Sequence, residues 1–351
     1  MHLKFLFLLP SLLALYSCAD LKDNNQSEHI SDITSTQDST LIMTYANTIT
    51  TEDLKNHLEI YASDAFEGRA TGTIGQKKAS EYLKQYYISQ DIPSPINDSV
   101  YFQHIPESYL PKNTNASENV LAFIEGSEKP EEVLIISAHL DHVGINDGEI
   151  YNGADDDGSG TVAILEIAQA FKQAALDGHK PKRSILFLHV TAEEIGLYGS
   201  KYYSEHPIFP LKNTITNLNI DMIGRVDDKH LNQPNYVYLI GSDRLSDDLH
   251  NISEKVNTTY FNLELDYTFN DPDDENRFYY RSDHYNFAKH NIPVIFYFNG
   301  THADYHKATD TVDKINFSML QKRAQLVFTT AWELANRENR PALNDDIKPV
   351  D

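Results

Sequence analysis

The sequence predicts an α/β fold: a three-layer αβα sandwich around a mixed, mostly parallel sheet, with a metal site at the carboxyl ends of the strands. Three observations predict it. Apolar strand-like runs at 132–137, 184–190, 215–220 and 293–298 alternate with stretches of helical spacing, the pattern of a parallel sheet covered on both faces. Metal-type side chains follow those runs, namely His139, Glu193 with Glu194, Asp221 and His306, and such sheets bind ligands beyond the carboxyl ends of their strands. Finally, Ser137–Gly160 packs two histidines and six acids into 24 residues. Carboxylates so close together repel one another unless a cation sits between them.

Taken in order, Glu52–Tyr61 has Leu54, Leu58 and Tyr61 on one helical face. Residues 62–73 read as a loop and Ile74–Gln90 as a second helix, with Ala79, Tyr82, Leu83 and Tyr86 apolar. Val100–Ile105 and Asn119–Ile124 read as strands, then Glu132–Ser137 as a buried one. Ser159–Leu176 is helical, with Gly178 as its C-terminal cap. Ser184–Val190 is the next strand; Leu197–Glu205 is a helix stopped by Pro207. Ile215–Ile220 and Tyr236–Ile240 are strands, with a helix over 244–258. Residues 270–281 form an acidic irregular loop, 282–290 a short helix and 293–298 a core strand. A His/Asp-rich loop, 301–310, precedes a closing helix at Phe317–Asn336.

With 351 residues, 40% of them hydrophobic, the chain can bury a sizeable core. It carries 52 Asp+Glu against 29 Lys+Arg, a net charge of -23, which argues against nucleic-acid binding, since that needs a basic face. The single cysteine, Cys18, excludes an intramolecular disulfide. It follows an apolar stretch, Phe5–Leu15, too short to span a membrane. Leu15-Tyr16-Ser17-Cys18 resembles a bacterial lipobox, in which the cysteine is lipidated. The expectation is export to the bacterial cell envelope, periplasmic or outer-surface, with membrane contact through the lipid anchor alone; an ordinary cleaved signal is the alternative. Oligomeric state is not legible.

The candidate ligands are His139, one aspartate of Asp155-Asp156-Asp157, Glu194, Asp221 and His306. They are too many for one catalytic zinc, which takes about three protein ligands. They suit two zincs roughly 3.5–4 Å apart, bridged by one aspartate. Glu193 and Glu194 together offer one carboxylate to metal and one to a proton. Asp141 can accept the second ring N–H of His139. A calcium loop over 153–164 fails at Gly153 and Ile164. No HExxH and no nucleotide-binding P-loop occurs. His142, His284 and His302 compete for ligand roles.

The motifs SAHLDHVG, NGADDDGSG, TAEEIGLYGS, NIDMIG and DYHKATDT, preceded by YASDAFEGRATGTIGQKKASEYL, resemble the successive motifs of the di-zinc aminopeptidases, peptidase family M twenty-eight. The resemblance runs from about Leu54 to Trp332. It implies two Zn2+ per chain, with His139, Glu194, Asp221 and His306 as terminal ligands and Asp156 as the bridge. Glu193 would be the general base, Asp141 and Asp310 supporting residues behind ligands, and Tyr305 a hydrogen-bond donor to the tetrahedral intermediate. It also implies a cis peptide at Asp156–Asp157. The implied activity is removal of N-terminal residues from peptides with a free N-terminus. Asp283 is a candidate for meeting the substrate amine. The expected domains are a lipoprotein signal peptide (1–18), a flexible tether (19–50), a zinc peptidase catalytic domain (51–337) and a polar tail (338–351). The interval 90–119 is too short for the inserted protease-associated domain of many relatives. A one-zinc glutaminyl-cyclase-like acyltransferase and a non-catalytic binding module are the competing readings.

Overall fold

A computed structural model describes residues 1–2, 36–97 and 99–347. Cys18, the lipobox and the first part of the expected tether lie outside the described residues. Among the described residues no helix is long and apolar enough to cross a membrane.

The chain from residue 36 folds around an eight-stranded sheet. Its strands are β1 (Phe102–Ile105), β2 (Ser117–Ile124), β3 (Lys129–His139), β6 (Arg183–Val190), β7 (Thr214–Ile220), β8 (Tyr236–Ile240), β9 (Glu264–Asp266) and β10 (Val294–Phe298). Their order is β1-β2-β6-β3-β7-β10-β8-β9. The centre, β6-β3-β7-β10, is parallel, as is the β8-β9 edge; β1, β2 and the β8–β10 pairing are antiparallel. A short ribbon, β4 (Gly144–Asn146) with β5 (Glu149–Tyr151), stands beside the sheet.

Period-two alternation divides the side chains between two cores. Val120, Ala122, Leu134, Ile136, Ile185 and Phe187 face one side. There they meet α1 (Thr36–Ala46), α2 (Thr51–Tyr61), α3 (Ile74–Ser89), α4 (Gly160–Leu176), α6 (Asp247–Tyr260) and α8 (Phe317–Asn336). Leu121, Val133, Ile135, Leu186 and Leu188 face the other, with Tyr203 of α5 (Tyr198–Glu205) and Phe287 of α7 (His284–Ala288). Each such Leu, Ile or Phe contributes about 1.5–3 kcal/mol by leaving water. The layers are those of an αβα sandwich.

Helix α4 fixes the site. It is buried from Gly160 through Ala168 without a break, including Glu166, which meets His57 at 3.2 Å. Its N-terminus therefore cannot swing, and the aspartate run that leads into it is held against the strand ends.

Two boundaries differ from expectation. The tether was drawn to residue 50, yet α1 forms from residue 36 and buries Ile42, Tyr45 and Ala46, with Ile49 just beyond it. Polar flanks hide this short apolar cluster from a compositional reading. The polar tail is also tied down through residue 347. Arg183 donates to the carbonyls of Arg337 and Glu338, the Asn344 N–H donates to Leu245 O at 3.0 Å, and Leu343 and Ile347 pack on the second core. Strands β4, β5 and β9 have three residues each, too few for a periodic signal.

Candidate metal centre

Each central strand delivers its side chain at the same edge. His139 is the last residue of β3, Asp221 follows β7, Glu193 and Glu194 follow β6, and His306 lies in the loop after β10. Three of these turns contain a non-glycine residue in the left-handed region: Ala192 (φ 58), Met222 (φ 62) and His306 (φ 52). That conformation costs roughly 1–2 kcal/mol for an L-residue, and such residues cluster at functional sites.

Asp156 occupies the middle. Its Oδ1 lies 3.2 Å from His139 Nε2, which is itself 3.5 Å from Asp221 Oδ1. Its Oδ2 lies 3.1 Å from His306 Nε2, which is also 3.1 Å from Glu194 Oε2. One carboxylate thus turns one oxygen to each of two donor sets. Asp156 Oδ2 is buried and accepts no hydrogen bond, which a cation would satisfy.

The surrounding charges balance the same way. Burial opposes protonation of His139, but Asp221 and Glu193 overcome it and raise its pKa. His306 is pushed up to about 10: burial again opposes, and the facing Asp156 and Glu194 carboxylates prevail. Burial would raise the Asp156 carboxyl, yet His142, His139 and His306 hold it well below the usual carboxylate range. The carboxylates draw positive charge into this cluster, and imidazole with carboxylate is a donor set that suits zinc.

The loop is held from below. Asp310 Oδ2 accepts the backbone N–H groups of Asp155 and Asp156 at 2.9 and 3.1 Å. Asp157 Oδ1 accepts from Met222 N and Gly160 N, and Asp155 Oδ1 accepts from Gly224 N at 2.7 Å. The outer aspartates therefore tie the loop to the segment after β7, leaving Asp156 to face inward. The Asp156–Asp157 peptide is cis. Gly153 (φ 52) precedes them, and a Cβ there would sit 2.2 Å from Asp156 O.

Several placements differ from the sequence reading. The acceptor for His139 Nδ1 is the backbone carbonyl of Asp141 at 3.0 Å; the Asp141 carboxylate is 3.9 Å away. That carboxylate instead accepts from Glu193 N and Thr71 Oγ1, because the turn after β3 folds it toward the β6 loop. Asp283, expected to face the substrate amine, is fully buried, outside the cleft lining, and hydrogen-bonded to Ser200. It stands at the start of α7, which faces the second core. His142 is a close neighbour, with Nδ1 2.6 Å from Glu194 Oε1. His302 contacts Asp155, and His284 packs on Phe296.

Arg69 carries no role in the sequence reading, yet it binds the site together. Buried, it donates to the carbonyls of Leu140, Tyr61, Asn152 and Gly153 at 2.6–3.2 Å, and it lies over the Tyr61 ring. Arg69→Met would take a donor from all four carbonyls, of which Leu140 O keeps the Tyr61 hydroxyl and Gly153 O the Gly158 N–H, a loss of roughly 2–5 kcal/mol. Denaturant titration should show that loss, and zinc affinity should fall with it because the His139 and Asp156 segments come loose.

Beside the centre, Glu193, Met222, Phe278, Arg281, Phe296, Phe298 and Tyr305 line a narrow cleft together with Asp156, Asp221 and His306. Burial pushes the Glu193 carboxyl up; Asp221 and Glu194 reinforce the rise, while His139 opposes it. A carboxylate so placed is a ready proton acceptor. Tyr305 stacks on the His306 ring at 4.0 Å. Burial and the Asp156 and Asp221 charges raise its phenol, which keeps it a donor.

Comparison with known proteins fits this geometry. A probable zinc metalloprotease of Pyrenophora tritici-repentis is 40% identical over 114 residues, 30% of this chain and 22% of that protein. Leupeptin-inactivating enzyme 1 of Streptomyces exfoliatus is 28% identical over 302 residues, 80% of this chain and 60% of its own length. The chain thus spans less than two thirds of either relative. The crystal structure of the Legionella pneumophila LapA aminopeptidase superposes with a TM-score of 0.66 at 20% identity, covering 87% of this chain and 77% of that one, a likeness of fold. Residues 119–331 match the profile of peptidase family M28; spanning more than half of the sequence, that match makes this chain a member of peptidase family M28.

Proposed function

We propose that this protein is a zinc-dependent aminopeptidase that removes N-terminal residues from peptides and uses two zinc ions per chain. The observation that carries the reading is the division of Asp156, with Oδ1 toward His139 and Asp221 and Oδ2 toward His306 and Glu194. One ion would be held by His139, Asp156 and Asp221, the other by Asp156, Glu194 and His306. Such a pair polarises a carbonyl and lowers the pKa of water.

The remaining steps belong to the chain's own residues. Met222, Phe278, Phe296 and Phe298 give the cleft an apolar wall for the substrate's N-terminal side chain. The Glu193 carboxylate takes a proton from the attacking water and returns it to the leaving amine. The Tyr305 hydroxyl donates to the oxygen that becomes negative in the tetrahedral intermediate. Asp141 keeps the Glu193 backbone in place through the 3.2 Å bond from Glu193 N.

A glutaminyl-cyclase-like acyl transfer would need a single ion. Zinc held at the Asp156 centre, counted as the equivalents lost in Asp156→Ala, separates the readings: two equivalents are expected, with hydrolysis of aminoacyl anilides. One equivalent with cyclisation of N-terminal glutamine would overturn the proposal.

A further inference from the structure

Away from the cleft, where the β7–β8 loop meets the sheet edge, His230 and Asp266 face one another. His230 is 3% exposed and Asp266 7%. His230 Nδ1 lies 2.7 Å from Asp227 Oδ1, and the other Asp227 oxygen accepts the Tyr238 hydroxyl at 2.7 Å. In the tautomer whose Nδ1–H donates to Asp227, the ring presents a lone pair at Nε2. That nitrogen is buried and has no hydrogen-bond partner. It points at Asp266 Oδ2, 3.3 Å away. The exposed Glu264 joins them: one ligand atom from each of His230, Glu264 and Asp266 lies within 4.8 Å of the others. Tyr236 stacks on the ring at 3.5 Å and fixes its plane.

A lone pair facing a carboxylate oxygen is an arrangement that asks for a cation. The carboxylate behind the ring is the partner that orients a metal-binding histidine. One imidazole with two carboxylates suits zinc or a similar transition ion, whereas calcium takes oxygen ligands. Lys229, whose side chain is 52% exposed, supplies positive charge by contacting Asp266 Oδ2. It is the natural competitor for the ion, held also by Thr268 Oγ1, to which it donates at 3.0 Å.

We infer that His230, Asp266 and Glu264 form a further transition-metal site, separate from the centre at Asp156, that clamps the β7–β8 loop to edge strand β9. Asp227 orients the imidazole and Lys229 gates the site. The inference does not depend on the proposed activity.

The test is zinc titration of the metal-stripped full-length chain, with stoichiometry and melting temperature read together. Wild type is expected to bind one equivalent more than His230→Gln or the exposed variant Glu264→Gln, and neither variant should lose peptidase activity. Lys229→Met should bind the additional ion roughly tenfold more tightly, since it removes a charge-assisted hydrogen bond that competes for Asp266. Equal zinc counts in wild type and both ligand variants would overturn the site. So would an unchanged affinity in Lys229→Met, which is the result expected if the cluster is only a structural ion-pair network. Asp156→Ala removes ions at the other centre alone, so the two sites fail independently.

Discussion

Glu193→Gln is expected to cut peptide hydrolysis by roughly 10²–10⁴-fold, the usual weight of a positioned general base, while zinc per chain stays at the wild-type value. The amide keeps the shape of the side chain and cannot accept the proton. The variant leaves the ligand contacts alone, because Glu194 carries the carboxylate that meets His306 and His142. The backbone bond from Glu193 N to Asp141 is also retained. Turnover and metal content measured on the same preparation check this. Wild-type turnover would remove Glu193 from the mechanism, and loss of zinc would make it a ligand.

Asp156→Asn should abolish activity by another route. The amide offers one oxygen and one NH2 group, so whichever way it turns, one of the two donor sets loses its Asp156 oxygen. Both ions share this side chain in the proposed site, so both should weaken. The thermal readout follows from mass action: an ion present at 100 times its dissociation constant stabilises the fold by about 2.7 kcal/mol. Wild type should therefore melt higher when zinc is added, and Asp156→Asn should gain distinctly less. An undiminished zinc-dependent rise in melting temperature in the variant would contradict a bridging role.

Much of this is legible in the amino-acid sequence. The central strands are continuous apolar runs because both sheet faces are covered, and the side chains at their ends stand out against those runs. That is why His139, Asp221, Glu194 and His306 could be picked out by position. Choosing Asp156 from three consecutive aspartates needed the family resemblance; the residues alone left it open. What escaped depends on contacts distant in sequence. Arg69 binds carbonyls 71, 83 and 84 residues away, and nothing around it in the sequence marks it. His142 meets Glu194 across 52 residues, so its place beside the centre was underrated. Asp283 was chosen for its chemistry within an aromatic segment, yet the turn into α7 buries it. Helix α1 was missed because a short apolar cluster among serines and threonines reads as linker.

The central claim is that two zincs and Glu193 hydrolyse the first peptide bond of a chain with a free amine. It is tested most directly by incubating the protein with matched peptides, free or acetylated at the N-terminus, with and without a chelator. Release of the N-terminal residue from the free peptide alone, lost with chelator and restored by zinc, is the predicted result. Cleavage of the acetylated peptide, or cleavage that survives complete removal of metal, would contradict it.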